Sequence, residues 1–141
     1  MTDPALLIAD DEEAICFALS REARRHGLTP LVAADGTRAI AVSGSAGAAL
    51  VAVILDIRMP HTGGISAALT ILEARPTINL ALMTAFEEYQ LPPVLMNPAF
   101  RLFRKPFDLG AFSSWLTSVA ARGPLAAPPA FDTTSDPAGA V

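Results

Sequence analysis

Short apolar runs alternate along this chain with stretches whose apolar residues recur every three or four positions. The runs are "ALLIA" (5–9), "TPLVAA" (29–34), "LVAVILD" (50–56), "INLALMT" (78–84) and "FRLFR" (100–104). Such runs predict strands, and the most continuous of them predict strands buried on both faces. Residues 12–26 place Ile15, Leu19 and Ala23 at helical spacing, and Gly27 stands where a C′ glycine ends a helix. Residues 37–47 predict a weaker helix, diluted by glycine. A third covers 64–75 and stops before Pro76, because the residue ahead of a proline is driven out of helical backbone. The last amphipathic stretch, 108–122, predicts a helix with Asp108 as N-cap. Between the fourth and fifth runs lies "AFEEYQLPPVLMNPAF" (85–100), with prolines at 92, 93 and 98. Prolines interrupt helix, so a fourth helix is expected to be short or displaced, at most about 93–97, with Asn97 as a left-handed cap.

Strands that alternate with helices predict an α/β fold, a parallel sheet with helices on both faces. Five such units in one small unit fit a flavodoxin-like five-stranded sheet of order 2-1-3-4-5. Residues 1–122 form this single domain, folded from roughly residue 4 onward. Residues 123–141, "GPLAAPPAFDTTSDPAGAV", carry four of the twelve prolines and no apolar periodicity. That composition cannot offset its ordering entropy, so the expectation is a flexible tail or linker.

Composition narrows the function classes. Of 141 residues 52% are hydrophobic, but much of this is alanine, so the core must come from Leu, Ile, Val and a few Phe. The formal net charge is −4, which argues against a nucleic-acid surface. A single cysteine, Cys16, excludes a disulfide scaffold, and two histidines, His26 and His61, argue against a His-rich metal centre. Apolar stretches such as "LVAVIL" are too short for a membrane span, and the first residues lack the basic start of a signal peptide. The expected location is the cytoplasm, with no nucleic acid and no membrane as partners. Of ten basic residues only Lys105 is a lysine.

In an open α/β sheet, ligands bind beyond the carboxyl ends of the strands. There the first strand ends on Asp10-Asp11, the third on Asp56, the fourth on Thr84 and the fifth on Lys105-Pro106. Clustered carboxylates repel one another unless a cation neutralises them, and hard oxygen ligands select Mg²⁺. A lysine and a threonine beside the metal suit the oxygens of a phosphoryl group. The predicted chemistry is phosphoryl transfer to a carboxylate. Each residue also has a plainer reading: Asp-Asp as a solvated loop or cap, Thr84 as a strand residue, Lys105 as a surface charge. Cys16, Trp115 and the apolar face of the last helix are read as core. His26 and His61 are read as exposed loop or helix-end residues, and a glycine at 63 or 64 as a turn needing positive φ. Glu12 and Glu13 are read as first-turn acids favoured by the helix dipole, Glu12 able to reach the metal shell through water.

The segments "LLIADDEE" (6–13), "AADG" (33–36), "VILDIRMPHTGG" (53–64), "LMTA" (82–85) and "RKPF" (104–107) occur in an order that resembles a response-regulator receiver domain of two-component signalling, single-domain and chemotaxis-regulator-like. The resemblance implies that Asp56 is the phosphoacceptor. It implies that Asp11, Asp56 and the backbone carbonyl of Arg58 ligate Mg²⁺, with Asp10 acting through water. It further implies that Thr84 and Lys105 hold the phosphoryl oxygens and that the Lys105–Pro106 peptide is cis. The implied donor is a histidine kinase or histidine phosphotransfer protein. The implied output is a downstream protein bound at the face of the fourth helix, fifth strand and fifth helix. Such a module is no enzyme beyond its own phosphorylation and dephosphorylation. A phosphatase of related chemistry would need a second aspartate where this chain has Arg58. The family's aromatic switch position is Leu102 here, with Phe103 next to it, so strand alternation predicts a buried Phe103 and an altered readout. Tyr89 or Phe100 could take that part instead. The alternative is a receiver-like binding module that acts independently of phosphorylation.

Overall fold

The computed structural model describes residues 3–85, 91–106 and 108–122. Five strands form one parallel sheet: β1 (Ala5–Ala9), β2 (Thr29–Ala33), β3 (Leu50–Asp56), β4 (Asn79–Thr84) and β5 (Arg101–Arg104). Their order is β2-β1-β3-β4-β5. Four α-helices accompany them: α1 (Glu13–Arg25), α2 (Gly36–Ala46), α3 (Gly64–Ala74) and α4 (Leu109–Arg122). The alternation of apolar runs and helical periods thus becomes the expected flavodoxin-like arrangement.

Burial follows strand position. The central strands β1 and β4 are buried throughout, and β3 nearly so. The edge strands β2 and β5 carry exposed residues, including Val32, Arg101, Leu102 and Arg104. Side chains leave each strand on alternate faces, so the sheet divides two cores. On one face Leu7, Val53, Leu55, Leu80 and Leu82 pack with Ala67, Ile71 and Leu72 of α3 and with Ala39 of α2. On the other, Leu6, Ile8, Ile54 and Met83 pack with Leu19 of α1 and with Phe112, Trp115 and Leu116 of α4. Cys16 and Trp115 lie in this second core, as expected. Phe103 lies there too, in edge-to-face contact with both Phe112 and Trp115 at centroid distances of 6.2 Å.

Helix ends follow local chemistry. Asp35 caps α2 by accepting the Arg38 N–H, and Asp108 accepts the Gly110 N–H at the start of α4. Gly27 adopts φ +78 after α1, the left-handed conformation that lets the chain turn out of a helix. Between β4 and β5 the described residues form only a short 3-10 turn, Pro93–Met96. Among the described residues, the fourth element expected to be short or displaced is this 3-10 turn, within the expected 93–97. Tyr89 lies outside the described residues, and Phe100 is buried in the first core.

Two local expectations are corrected. Asn97 is extended (φ −61, ψ 133), not left-handed, because Pro98 follows it and forces extended backbone on the preceding residue. Its side chain accepts the Ala99 N–H at 2.8 Å, an Asx-type turn. The positive φ after Asp56 belongs to His61 (φ 62), which follows Pro60 as the third residue of a type II turn would. Gly63 has an ordinary φ of −71. Gly64 is needed for space instead: a Cβ there would stand 1.9 Å from the backbone oxygen of Asp56.

Replacing Gly64 with Ala should therefore cost on the order of 3 kcal/mol, through displacement of the backbone at Asp56. Gly44, inside α2 with no atom within 4 Å of a built Cβ, is the contrast. Gly44→Ala should stabilise by about 0.5–1 kcal/mol. Urea denaturation midpoints of the two variants check both.

Candidate functional site

Strand register explains why distant residues meet. Ala9 of β1 pairs with Leu55 of β3, so Asp10 and Asp56 emerge side by side. Asp56 pairs with Met83, one residue before Thr84, and Thr84 pairs with Arg104, one residue before Lys105. The Lys105 N–H donates to the Thr84 carbonyl at 2.7 Å, extending the ladder by one rung. The Lys105–Pro106 peptide is cis, as expected. All these residues stand at the carboxyl edge of the sheet.

The Lys105 ammonium lies at the centre. It donates to Asp10 Oδ2 at 2.8 Å, to Glu12 Oε1 at 3.0 Å and to Asp56 Oδ2 at 3.1 Å. Asp10 and Asp56 are buried, Asp11 is exposed, and Thr84 is buried at the end of β4. Backbone amides hold the other carboxylate oxygens: Glu12 N–H donates to Asp10 Oδ1 at 2.9 Å and Arg58 N–H to Asp56 Oδ1 at 3.3 Å. Arg58 itself is exposed on the loop after β3. Among the described residues, oxygens of Asp10, Asp11 and Asp56 lie within 4.8 Å of one another, close enough to share a cation.

The electrostatics follow from burial and charge. Burial raises the pKa of Asp56, and the neighbouring Asp10 raises it further, while Lys105 offsets part of both. Burial alone would lower the pKa of Lys105, but hydrogen bonds to three carboxylates outweigh it and the net shift is upward. The Cys16 thiol donates to the Asp10 carbonyl at 3.3 Å. Burial, helped by the charge of Asp10, pushes its pKa up to about 11, so it is a neutral thiol and no nucleophile at ordinary pH.

Two features went unread in the sequence. Glu12 is a direct partner of Lys105, although a run of four acids did signal that one might turn inward. His26 stands at the end of α1, one of the two places expected for it, but it also bonds to Ser113 of α4 at 2.7 Å, a link between α1 and α4.

These shifts have a definite sign. Asp56 is harder to ionise in the folded chain, so its contribution to stability falls as pH rises from about 4 through its raised folded value. At neutral pH, Asp56→Asn should raise the metal-free melting temperature. Lys105 contributes stability that is complete below about pH 10 and is lost as pH rises through its raised folded value. Lys105→Met should cost roughly 2–4 kcal/mol at pH 7, because two buried carboxylates lose their counter-charge. Calorimetry without added metal checks both; a stabilised Lys105→Met protein would contradict this account.

A profile of the response regulator receiver domain matches residues 6–116. A response regulator receiver domain from Clostridium thermocellum superposes with a TM-score of 0.75 at 20% identity, covering 84% of this chain and 95% of that one. The signal receiver domain of an HD domain-containing protein from Pseudomonas fluorescens Pf-5 gives 0.73 at 22%, covering 84% and 95%. TrrA from Thermotoga maritima, solved in complex with Mg²⁺-BeF, gives 0.70 at 26%, covering 82% and 98%. No curated protein matches the chain. The match spans all but the first residue of the sheet and every residue from Asp10 to Lys105, and the solved structures share its fold. The chain belongs to the response regulator receiver domain family.

Proposed function

We propose that this chain is a phosphorylatable switch. It takes a phosphoryl group onto Asp56 from the phosphohistidine of a histidine kinase or phosphotransfer protein. The observation that carries this reading is the position of Asp56. One of its oxygens lies 3.1 Å from a lysine ammonium, at a sheet edge where two further aspartates reach the same point. A carboxylate is a weak nucleophile, so the reaction depends on stabilising the charge that moves between donor and acceptor. An Asp56 oxygen bonds to phosphorus as the phosphorus–nitrogen bond of the donor breaks, and the imidazole leaves with that electron pair. Lys105 binds phosphoryl oxygens as a compact point charge, and the Thr84 hydroxyl donates to them from the adjacent strand.

The donor set suits a hard divalent cation: all carboxylate oxygens, drawn together on one side of the sheet, with an exposed member open to water. Asp11, Asp56 and the Arg58 carbonyl would hold Mg²⁺, and Asp10 would act through water. When bound, Mg²⁺ neutralises the carboxylates and the phosphoryl oxygens. Support comes from TrrA, a receiver-fold protein captured with Mg²⁺-BeF. The output is contact with a downstream protein through the face formed by the Pro93–Met96 turn, β5 and α4. Residues 123–141 serve as tail or linker, and the site of action is the cytoplasm.

One observation favours a second reading, a binding module indifferent to phosphorylation. Leu102 is exposed where the family carries an aromatic, and Phe103 is 3% exposed, locked between Phe112 and Trp115. An aromatic fixed in the core cannot swing when Thr84 engages a phosphoryl group.

Incubation of the Mg²⁺-loaded protein with acetyl phosphate should add one phosphoryl mass to the wild type and none to Asp56→Asn. A mass increment that persists in Asp56→Asn would refute Asp56 as acceptor. If phosphorylation occurs but leaves partner affinity unchanged, the second reading replaces the first.

A further inference from the structure

The acids at the start of α1 do not all serve the same end. Asp10 and Asp11 belong to the carboxylate group that can share a cation, but Glu12 does not. Its side chain is 62% exposed, yet it reaches back to Lys105 at 3.0 Å. An ammonium has three N–H donors. Asp10, Glu12 and Asp56 take all three. A phosphoryl group on Asp56 needs one or more of them, so an existing bond must give way.

Asp10 and Asp56 are held in place by their burial and by backbone amides. Glu12 is the partner that can leave, because its carboxylate regains full hydration when it swings into water. Its backbone stays anchored by the bond to Asp10 Oδ1. Glu12 also adds a negative charge at the mouth through which an anionic phosphodonor must enter.

We propose that Glu12 is a positioning residue that competes with the incoming phosphoryl group for Lys105, and so slows phosphorylation of the resting protein. This rests on Asp56 being the phosphoacceptor. Glu12 holds Lys105 with its donors saturated until a phosphoryl oxygen displaces it. In the phosphorylated protein its carboxylate is released to solvent.

Because Lys105 is the only lysine, ¹⁵N labelling of lysine side chains gives one ammonium signal that needs no assignment. Glu12→Gln keeps the shape and loses the charge; Glu12→Ala loses both. Glu13→Gln is the control, since Glu13 makes none of the described ion pairs to Lys105. In metal-free protein, ammonium proton exchange with water should be about two- to fivefold faster in Glu12→Ala than in wild type or Glu13→Gln, the size expected from one half-exposed ion pair. At saturating Mg²⁺, with Mg²⁺ affinity measured separately, acetyl phosphate should modify both Glu12 variants about two- to fivefold faster than wild type. Unchanged ammonium exchange, or Glu12 variants phosphorylated no faster than wild type or matched by Glu13→Gln, would overturn the role of Glu12. Failure of the wild type to take up any phosphoryl group would instead overturn the receiver chemistry on which it rests.

Discussion

One ammonium among buried carboxylates governs this structure. Asp10 and Asp56 are brought together by the register of β1 and β3, which is fixed by apolar packing on both faces of the sheet. Their charges oppose that closeness, and desolvation amplifies the opposition. Lys105 relieves it from β5, two strands away from β3, through a ladder that continues one rung past Thr84. The hydrophobic effect assembles the edge, and electrostatics makes it tolerable. A cation held by the same oxygens would relieve the same repulsion, so it would answer the electrostatic problem that the lysine already answers.

Much of this was legible because each element had a strong one-dimensional signature. Apolar runs closing on Asp56 and Thr84 marked the buried strands and their carboxyl ends together. Lys105 stood out because the chain otherwise uses arginine for positive charge. Phe103 was placed in the core by alternation alone. What escaped was long-range or steric. No local pattern pairs Glu12 with a lysine 93 positions away. Gly63 and Gly64 carried the usual mark of positive φ, yet the crowding of Gly64 against the Asp56 carbonyl exists only after α3 packs beneath the loop. Asn97 was misread because its own propensity was weighed ahead of its neighbour Pro98, whose ring dictates the preceding backbone.

The two sides of the site differ in what they rest on. The β4–β5 side lies beside the short Pro93–Met96 turn, where Met96 and Leu102 are exposed. An apolar cavity of about 500 Å³, lined in part by Leu82, Leu95, Phe100 and Leu102, opens there. The family's residue pattern is kept on the carboxylate side, at Asp10, Asp11, Asp56 and Lys105, and is altered on this one, where Leu102 stands exposed and Phe103 is buried.

The loop after Asp56 is gripped at both ends by missing side chains. A Cβ on Gly64 would collide with the Asp56 carbonyl, and one on Gly36 would stand 1.9 Å from the Thr62 oxygen. The Gly64 N–H also donates to the Ile57 carbonyl at 2.9 Å, and Ile57 N–H to Met83 at 2.8 Å. The Asp56 carboxylate therefore sits on a wall that helices α2 and α3 touch backbone to backbone. Such a wall behaves as an anvil: it fixes where the Asp56 carboxylate stands, whatever arrives in front of it.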